Sequence, residues 1–120
     1  MNKIEKLTSK EEEVMRVLWK LEKAFVKEII PHLEEEAHYN TVSTIVRILE
    51  DKGFVAHNAF GKTHQYYPIV SQSDYSNLIV SNTTQRYFEG SYKNLVSFFA
   101  EKEKISADEL REIIQLIENK

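Results

Sequence analysis

Residues 40–53 read NTVSTIVRILEDKG, and two short runs follow, FVAH at 54–57 and HQYY at 64–67. Asn40 is a favoured N-cap residue and Gly53 suits the left-handed position just past a helix end, so the spacing predicts a helix over about 40–52. Steps of about 100° per residue place Asn40, Ser43, Thr44, Arg47, Glu50 and Asp51 in one polar arc. Val42, Ile45, Val46, Ile48 and Leu49 fall in the opposing apolar arc. One side packs and the other stays available to a partner. The runs at 54–57 and 64–67 read as two short strands, with Asn58, Ala59, Phe60, Gly61, Lys62 and Thr63 as the loop of a β-hairpin.

Upstream, Ser9 and Glu12 stand at capping-box distance and predict the start of a first helix. Val14, Val17, Leu18 and Leu21 recur at helical spacing, flanked by Leu7 and Phe25, while Glu12, Arg16, Lys20 and Lys23 occupy the other side. A shorter second helix is expected over 27–35, where Ile29, Ile30 and Leu33 are apolar and Pro31 bends the chain. The acidic run Glu34, Glu35 and Glu36 reads as its solvated end, with His32 and His38 on either side. Three helices and then a hairpin, the third helix polar on one face, is the order of a winged helix-turn-helix.

Downstream of Pro68 the pattern is helical throughout. Ser73 or Asp74 caps a helix reaching about Phe88, and a second is expected over 92–101 after Gly90. Ser106 and Glu109 form a capping box for a third, with Ile105 and Leu110 at staple positions and Leu110, Ile113, Ile114 and Ile117 in an apolar stripe. About 50 residues of short helices cannot bury that stripe together with Tyr87, Phe88, Leu95, Val96, Phe98 and Phe99 unless another chain or the first domain covers them. The expected fold is therefore mainly α with a small β-hairpin. Residues 1–70 form the winged-helix domain and residues 71–120 a helical dimerisation arm. Its interface would hold Tyr87, Phe88, Leu95, Val96, Phe99, Leu110, Ile113, Ile114 and Ile117.

A chain of 120 residues carries one core, or a compact module with an appended element, and has no room for a large two-domain cleft. Without cysteine there is no disulfide framework, thiolate metal site or cysteine nucleophile. No stretch resembles a signal peptide or a membrane span, so the expectation is a cytoplasmic protein without direct membrane insertion. Walker, GxGxxG, HExxH and G-x-S-x-G motifs are all missing, which argues against an enzyme, and no cofactor is expected. His57 and His64, facing each other across the hairpin with no carboxylate neighbour, would make a poor metal site, and no metal is expected. Trp19 reads as a core residue. Tyr66 and Tyr67, adjacent on a strand, must point to opposite faces.

Charge does not announce a nucleic-acid binder. Residues 1–70 hold 10 basic and 11 acidic side chains, residues 71–120 hold 6 and 8, and the net charge is −3. Any DNA-facing surface has to be local, and a winged-helix module that binds protein and not DNA is the alternative reading.

LTSKEEEVMRVLW at 7–19, NTVSTIVRILEDKGFV at 40–55 and GKTHQYYPIV at 61–70, in that order and spacing, resemble the bacterial penicillinase-repressor family of the BlaI/MecI/CopY type. The resemblance covers nearly the whole chain. It implies a homodimeric transcriptional repressor that reads a palindromic DNA operator, with Asn40, Thr41, Ser43, Thr44 and Arg47 in the major groove and Lys62, Thr63 and His64 on the wing. The commoner family pattern has Arg directly before Leu, and this chain has Arg47 followed by Ile48. Some members are inactivated when a membrane sensor and protease system leads to cleavage between Asn and Phe in the arm. Phe98 and Phe99 stand there in this chain, so only the second position matches. The copper-sensing branch uses a C-terminal cysteine cluster that this chain lacks.

Overall fold

The computed structural model describes residues 4–119; residues 1–3, the start of the lysine-bearing N-terminal stretch, and residue 120 lie outside the described residues. In chain order the elements are α1 (Ser9–Leu21), β1 (Ala24–Phe25), α2 (Val26–Ile29) with a 3₁₀ turn (Ile30–His32), and α3 (Tyr39–Asp51). Then come β2 (Val55–Phe60), β3 (Thr63–Pro68), α4 (Gln72–Tyr87), α5 (Tyr92–Glu101) and α6 (Ala107–Glu118). The chain divides into two compact units, Met1–Ile79 and Val80–Lys120.

All the buried apolar side chains among the described residues belong to the first unit. Leu7, Val14, Met15, Val17 and Leu18 meet Ala24, Val26, Ile29, Val42, Val46, Leu49, Phe54, Val55, Tyr66 and Tyr75. α1 starts one residue away from the expected register, because Thr8 and not Ser9 is its cap. The Glu11 N–H donates to the Thr8 hydroxyl at 3.2 Å and the Glu11 carboxylate accepts from the Thr8 N–H at 2.9 Å. Both registers satisfy the local rule, and tertiary partners choose between them. Glu11, 5% exposed, receives Lys52 Nζ at 2.9 and 3.0 Å. Glu12 is left to accept the Tyr75 hydroxyl at 2.6 Å.

The second helix is a single turn and not the expected span to residue 35. Pro31 has no N–H to continue the ladder, so α2 tightens into the 3₁₀ turn and the acidic run that follows is irregular and exposed. α3 begins earlier than expected: His38 is its cap, without a side-chain bond, and Asn40 is an exposed residue of the first turn. Its end is as expected. Gly53 at φ 81° lets the Phe54 N–H reach the Leu49 carbonyl at 2.9 Å and the Gly53 N–H reach that of Glu50 at 3.0 Å. Ile48 leaves the expected apolar arc and is 39% exposed, because the packed row is Val42, Val46 and Leu49, with Ile45 only half-buried at its edge.

The sheet holds a third strand that the sequence did not signal. The two residues of β1 pair antiparallel with β3, Ala24 opposite Tyr66 and Phe25 opposite Gln65, giving the order β1-β3-β2. The hairpin is longer than expected. Its strands extend to Phe60 and from Thr63, and the six-residue loop reduces to a turn at Gly61 and Lys62. Tyr66 is buried and Tyr67 half-buried, on opposite faces.

α4 starts at Gln72 with Ser71 as its cap, the Asp74 N–H donating to the Ser71 hydroxyl at 3.0 Å, in place of the expected Ser73 or Asp74. Tyr75 is its anchor. The Tyr75 hydroxyl accepts from the Leu7 N–H at 2.9 Å, and the ring lies 5.9 Å from Trp19 and 5.8 Å from Phe54. Burial, with the Glu12 carboxylate alongside, pushes the phenol up to about 12. Trp19 is half-buried against the core and donates to the Val70 carbonyl at 2.9 Å. In the second unit, α5 and the capping box of Ser106 and Glu109 on α6 fall where expected.

Burial alone would raise the Glu11 carboxyl, but the Thr8 N–H, the Lys52 ammonium and the Thr8 side chain together hold it below the ordinary carboxylate range. Its stabilising contribution is therefore present above that range and is lost as the pH falls through the lowered value. Glu11→Gln is expected to destabilise the protein by about 1 to 3 kcal/mol near neutrality, with a smaller gap from wild type at about pH 3. Urea unfolding at the two pH values checks this, and an equal gap at both would contradict it.

Candidate nucleic-acid interface

The polar face of α3 is uncovered within its own unit. Asn40, Thr41, Thr44 and Arg47 are exposed and Ser43 is half-buried at the margin. Several of these groups lie back along the helix. The Thr44 hydroxyl donates to the Asn40 carbonyl at 2.9 Å, and Arg47 donates from Nε to the Ser43 carbonyl at 3.3 Å and from its fork to the Ser43 hydroxyl at 3.4 Å. These bonds are exposed, so a partner can exchange them at little cost. Ile48 sits beside this surface and offers an apolar contact that arc assignment alone had placed in the core.

The hairpin supplies the wing. Its burial declines from Val55 toward the tip, where Phe60, Gly61, Lys62, Thr63 and His64 are all exposed. Gly61 has φ 64° while Lys62 does not have a positive φ, the pattern of a type II′ hairpin turn with glycine in its first central place. The Thr63 hydroxyl donates to the Phe60 carbonyl at 2.9 Å, and the Phe60 ring meets Phe25 edge-on at 5.7 Å. The tip is thereby tied to β1.

Wing and helix adjoin. Phe25, Val26, Lys27, Glu28, Tyr39, Thr63 and His64 line a cleft of about 320 Å³, bringing the start of α3 beside two of the three expected wing residues. Deeper in, His57 Nδ1 lies 2.6 Å from Glu50 Oε2, and the His57 and His64 rings stack at 4.0 Å with 7° between planes. The expectation that these imidazoles lack a carboxylate neighbour is thus corrected: Glu50 reaches His57 from α3, a contact between elements that no local spacing reports. Burial raises the Tyr66 phenol beside them, Glu50 adding to the effect and Arg47 opposing it. Among the described residues no group of three or more His, Asp or Glu side chains is arranged to hold a metal ion.

In the second unit Tyr87, Val96, Phe98, Phe99, Ile113, Ile114 and Ile117 are exposed, and Phe88, Leu95 and Leu110 are half-buried. Leu116, 71% exposed, belongs with them and was missed because it lies beside the expected stripe.

The penicillinase repressor family matches residues 7–119. The chain belongs to this family. It is a family of repressors and not of enzymes. The chain is 31% identical to the methicillin resistance regulatory protein MecI of Mammaliicoccus sciuri, over 99% of this chain and 98% of that protein. The penicillinase repressor of Bacillus licheniformis is 29% identical over 98% of this chain and 94% of its own length. The solved DNA-binding domain of the repressor BlaI matches with a TM-score of 0.54 at 32% identity, covering 62% of this chain and 94% of that one. Monomeric BlaI of Bacillus licheniformis, solved in complex with the blaP half-operator, matches with a TM-score of 0.50 at the same identity and coverage. Among the described residues no helix is long and apolar enough to cross a membrane.

At Gly61 no neighbouring atom lies near enough to clash with an added Cβ, so only the positive φ opposes a side chain there. Gly61→Ala should cost about 1 to 2 kcal/mol through that strain. Thermal unfolding reads this as a lowered Tm, and an unchanged Tm would show that the turn adopts another conformation.

Proposed function

We propose that this chain is a cytoplasmic, homodimeric transcriptional repressor that binds a palindromic operator, α3 entering the major groove and the wing lying against the backbone or minor groove. The uncovered polar arc of α3 beside the wing carries this reading. Asn40 and Arg47 are the residue types that pair bidentately with adenine and guanine, and Thr41, Ser43 and Thr44 suit phosphates or single base contacts. Lys62, Thr63 and His64 on the wing would add contacts that do not depend on sequence. The half-operator bound by the relative BlaI supports the same use of the corresponding region here.

Residues 1–70 serve in this reading as the DNA-binding domain and residues 71–120 as the dimerisation arm, with Tyr75 fastening the start of the arm's first helix to the core. The second unit supports dimerisation because it cannot cover its own apolar surface. α5 and α6 contain no buried residue, and Ile114 and Ile117 are 50% and 66% exposed. So many exposed apolar side chains on two short helices are what an interface between chains would cover. Release of the operator through a membrane sensor and protease system would act at Phe98 and Phe99. That bond lies inside α5, so a protease reaches it only when the helix opens.

Arg47→Ala is expected to weaken operator binding by about 1 to 3 kcal/mol, while Lys62→Ala weakens binding to all duplexes alike. Fluorescence anisotropy against salt measures both. Affinity that is insensitive to salt would favour the protein-binding module instead. Sedimentation should give about twice the chain mass of 14.1 kDa, and Ile114→Asp with Ile117→Asp should give a folded monomer of lower operator affinity. A dimer persisting in that variant would place the interface elsewhere.

A further inference from the structure

Among the described residues Ile48 is the one exposed aliphatic side chain on α3, while Val42, Val46 and Leu49 of the same helix are fully buried. At about 100° per residue it falls about 20° from Thr41 and about 40° from Thr44, and about 100° from Leu49, the nearest member of the packed row. It therefore belongs to the exposed stripe of Asn40, Thr41, Thr44, Arg47 and Asp51. A single exposed isoleucine is ordinary on a protein surface. This one stands inside a face whose other members are of the types that read base edges.

The stripe has two flanks. Asn40, Arg47 and Asp51 line one, Thr41 and Ile48 the other, with Thr44 between them. Arg47 is drawn away from Ile48, its Nε donating to the Ser43 carbonyl at 3.3 Å and its fork to the Ser43 hydroxyl at 3.4 Å. The Thr44 hydroxyl turns back to the Asn40 carbonyl at 2.9 Å. No charge or hydroxyl from these two residues covers the isoleucine.

Base pairs offer the major groove hydrogen-bond donors and acceptors and a single apolar group, the C5-methyl of thymine. An aliphatic side chain set against a donor or acceptor displaces its water and gives no hydrogen bond in return. Against the thymine methyl, two apolar surfaces leave water together. We infer that Ile48 is a specificity-determining residue that meets the C5-methyl group of a thymine, so that each half-site carries a T·A pair beneath this turn of α3. The inference rests on the DNA-binding reading above and deepens it by assigning one base to one side chain.

The test selects sites from a pool of randomised duplexes with the full chain, then replaces each thymine of the selected half-site singly by deoxyuridine, which lacks only that methyl group. Anisotropy at fixed salt measures each duplex. At one thymine the replacement should weaken wild-type binding about fourfold per half-site, the worth of one methyl group taken out of water. Ile48→Ala, at an exposed position where truncation spares the core, should bind the thymine and uracil duplexes equally. Thr41→Ser, which removes the other methyl group on that flank, should keep the wild-type ratio. Selected sites in which no exchange of thymine for uracil matters, or a ratio that survives in Ile48→Ala, would overturn this inference and leave the DNA-binding reading standing. A pool from which no sequence is enriched would overturn both.

Discussion

One carboxylate ties the first and third helices of the first unit together. Glu11 closes the capping box at the start of α1 and receives the ammonium of Lys52 at the end of α3. Helix ends carry backbone groups with no partner inside the helix, and buried ones must find partners elsewhere. A single buried side chain meets that need for α1 and also clamps the last turn of α3. The direction of α3 therefore depends on where α1 begins. An exposed ion pair would contribute little here; this one is shielded on the Glu11 side, and breaking it would leave a buried charge without its partner.

From that clamp the candidate interface follows in steps. The left-handed Gly53 turns the chain directly from α3 into β2, so helix and wing are separated by only a few residues. Val42, Val46 and Leu49 press one side of α3 into the core, which leaves Asn40, Thr44 and Arg47 outward. β1 fastens β3 from the other side, and Phe25 catches the wing tip through Phe60. Tyr75 closes the first unit with two hydrogen bonds from one hydroxyl. The second unit closes more sparsely: Phe88 meets Phe98 edge-on at 5.4 Å, the Ser81 and Tyr92 hydroxyls lie 3.0 Å apart, and Thr84 is its single buried side chain among the described residues.

Much of this was legible wherever a local rule was sufficient. The span of α3 up to Gly53, the helices α5 and α6, the Ser106 box, the opposite facing of Tyr66 and Tyr67 and the family resemblance were all visible in the chain itself. Local rules failed where two registers were equally good. Thr8 with Glu11 and Ser9 with Glu12 have the same spacing, and only Lys52 and Tyr75, far away in sequence, distinguish them. β1 is too short to show a period of two, and the hairpin ends are too exposed to show alternation, so the strands looked shorter than they are. Ile48 was misplaced because an apolar residue type says nothing about whether the packed row is wide enough to include it. In the candidate interface, the outward residues of α3 and the wing tip were readable, whereas the Glu50 to His57 contact and the Tyr39 cleft arise from elements that meet only in the folded chain.

The central claim is that a duplex occupies the uncovered face of α3 together with the wing. Its most direct test is residue-resolved NMR of the full chain during titration with duplex DNA, following backbone and side-chain signals. The account predicts that Asn40, Thr41, Thr44, Arg47 and the turn at Gly61 and Lys62 shift, while Arg16 and Lys20 on the outer side of α1 stay in place. Shifts confined to α1, or the absence of any shift along α3, would contradict it.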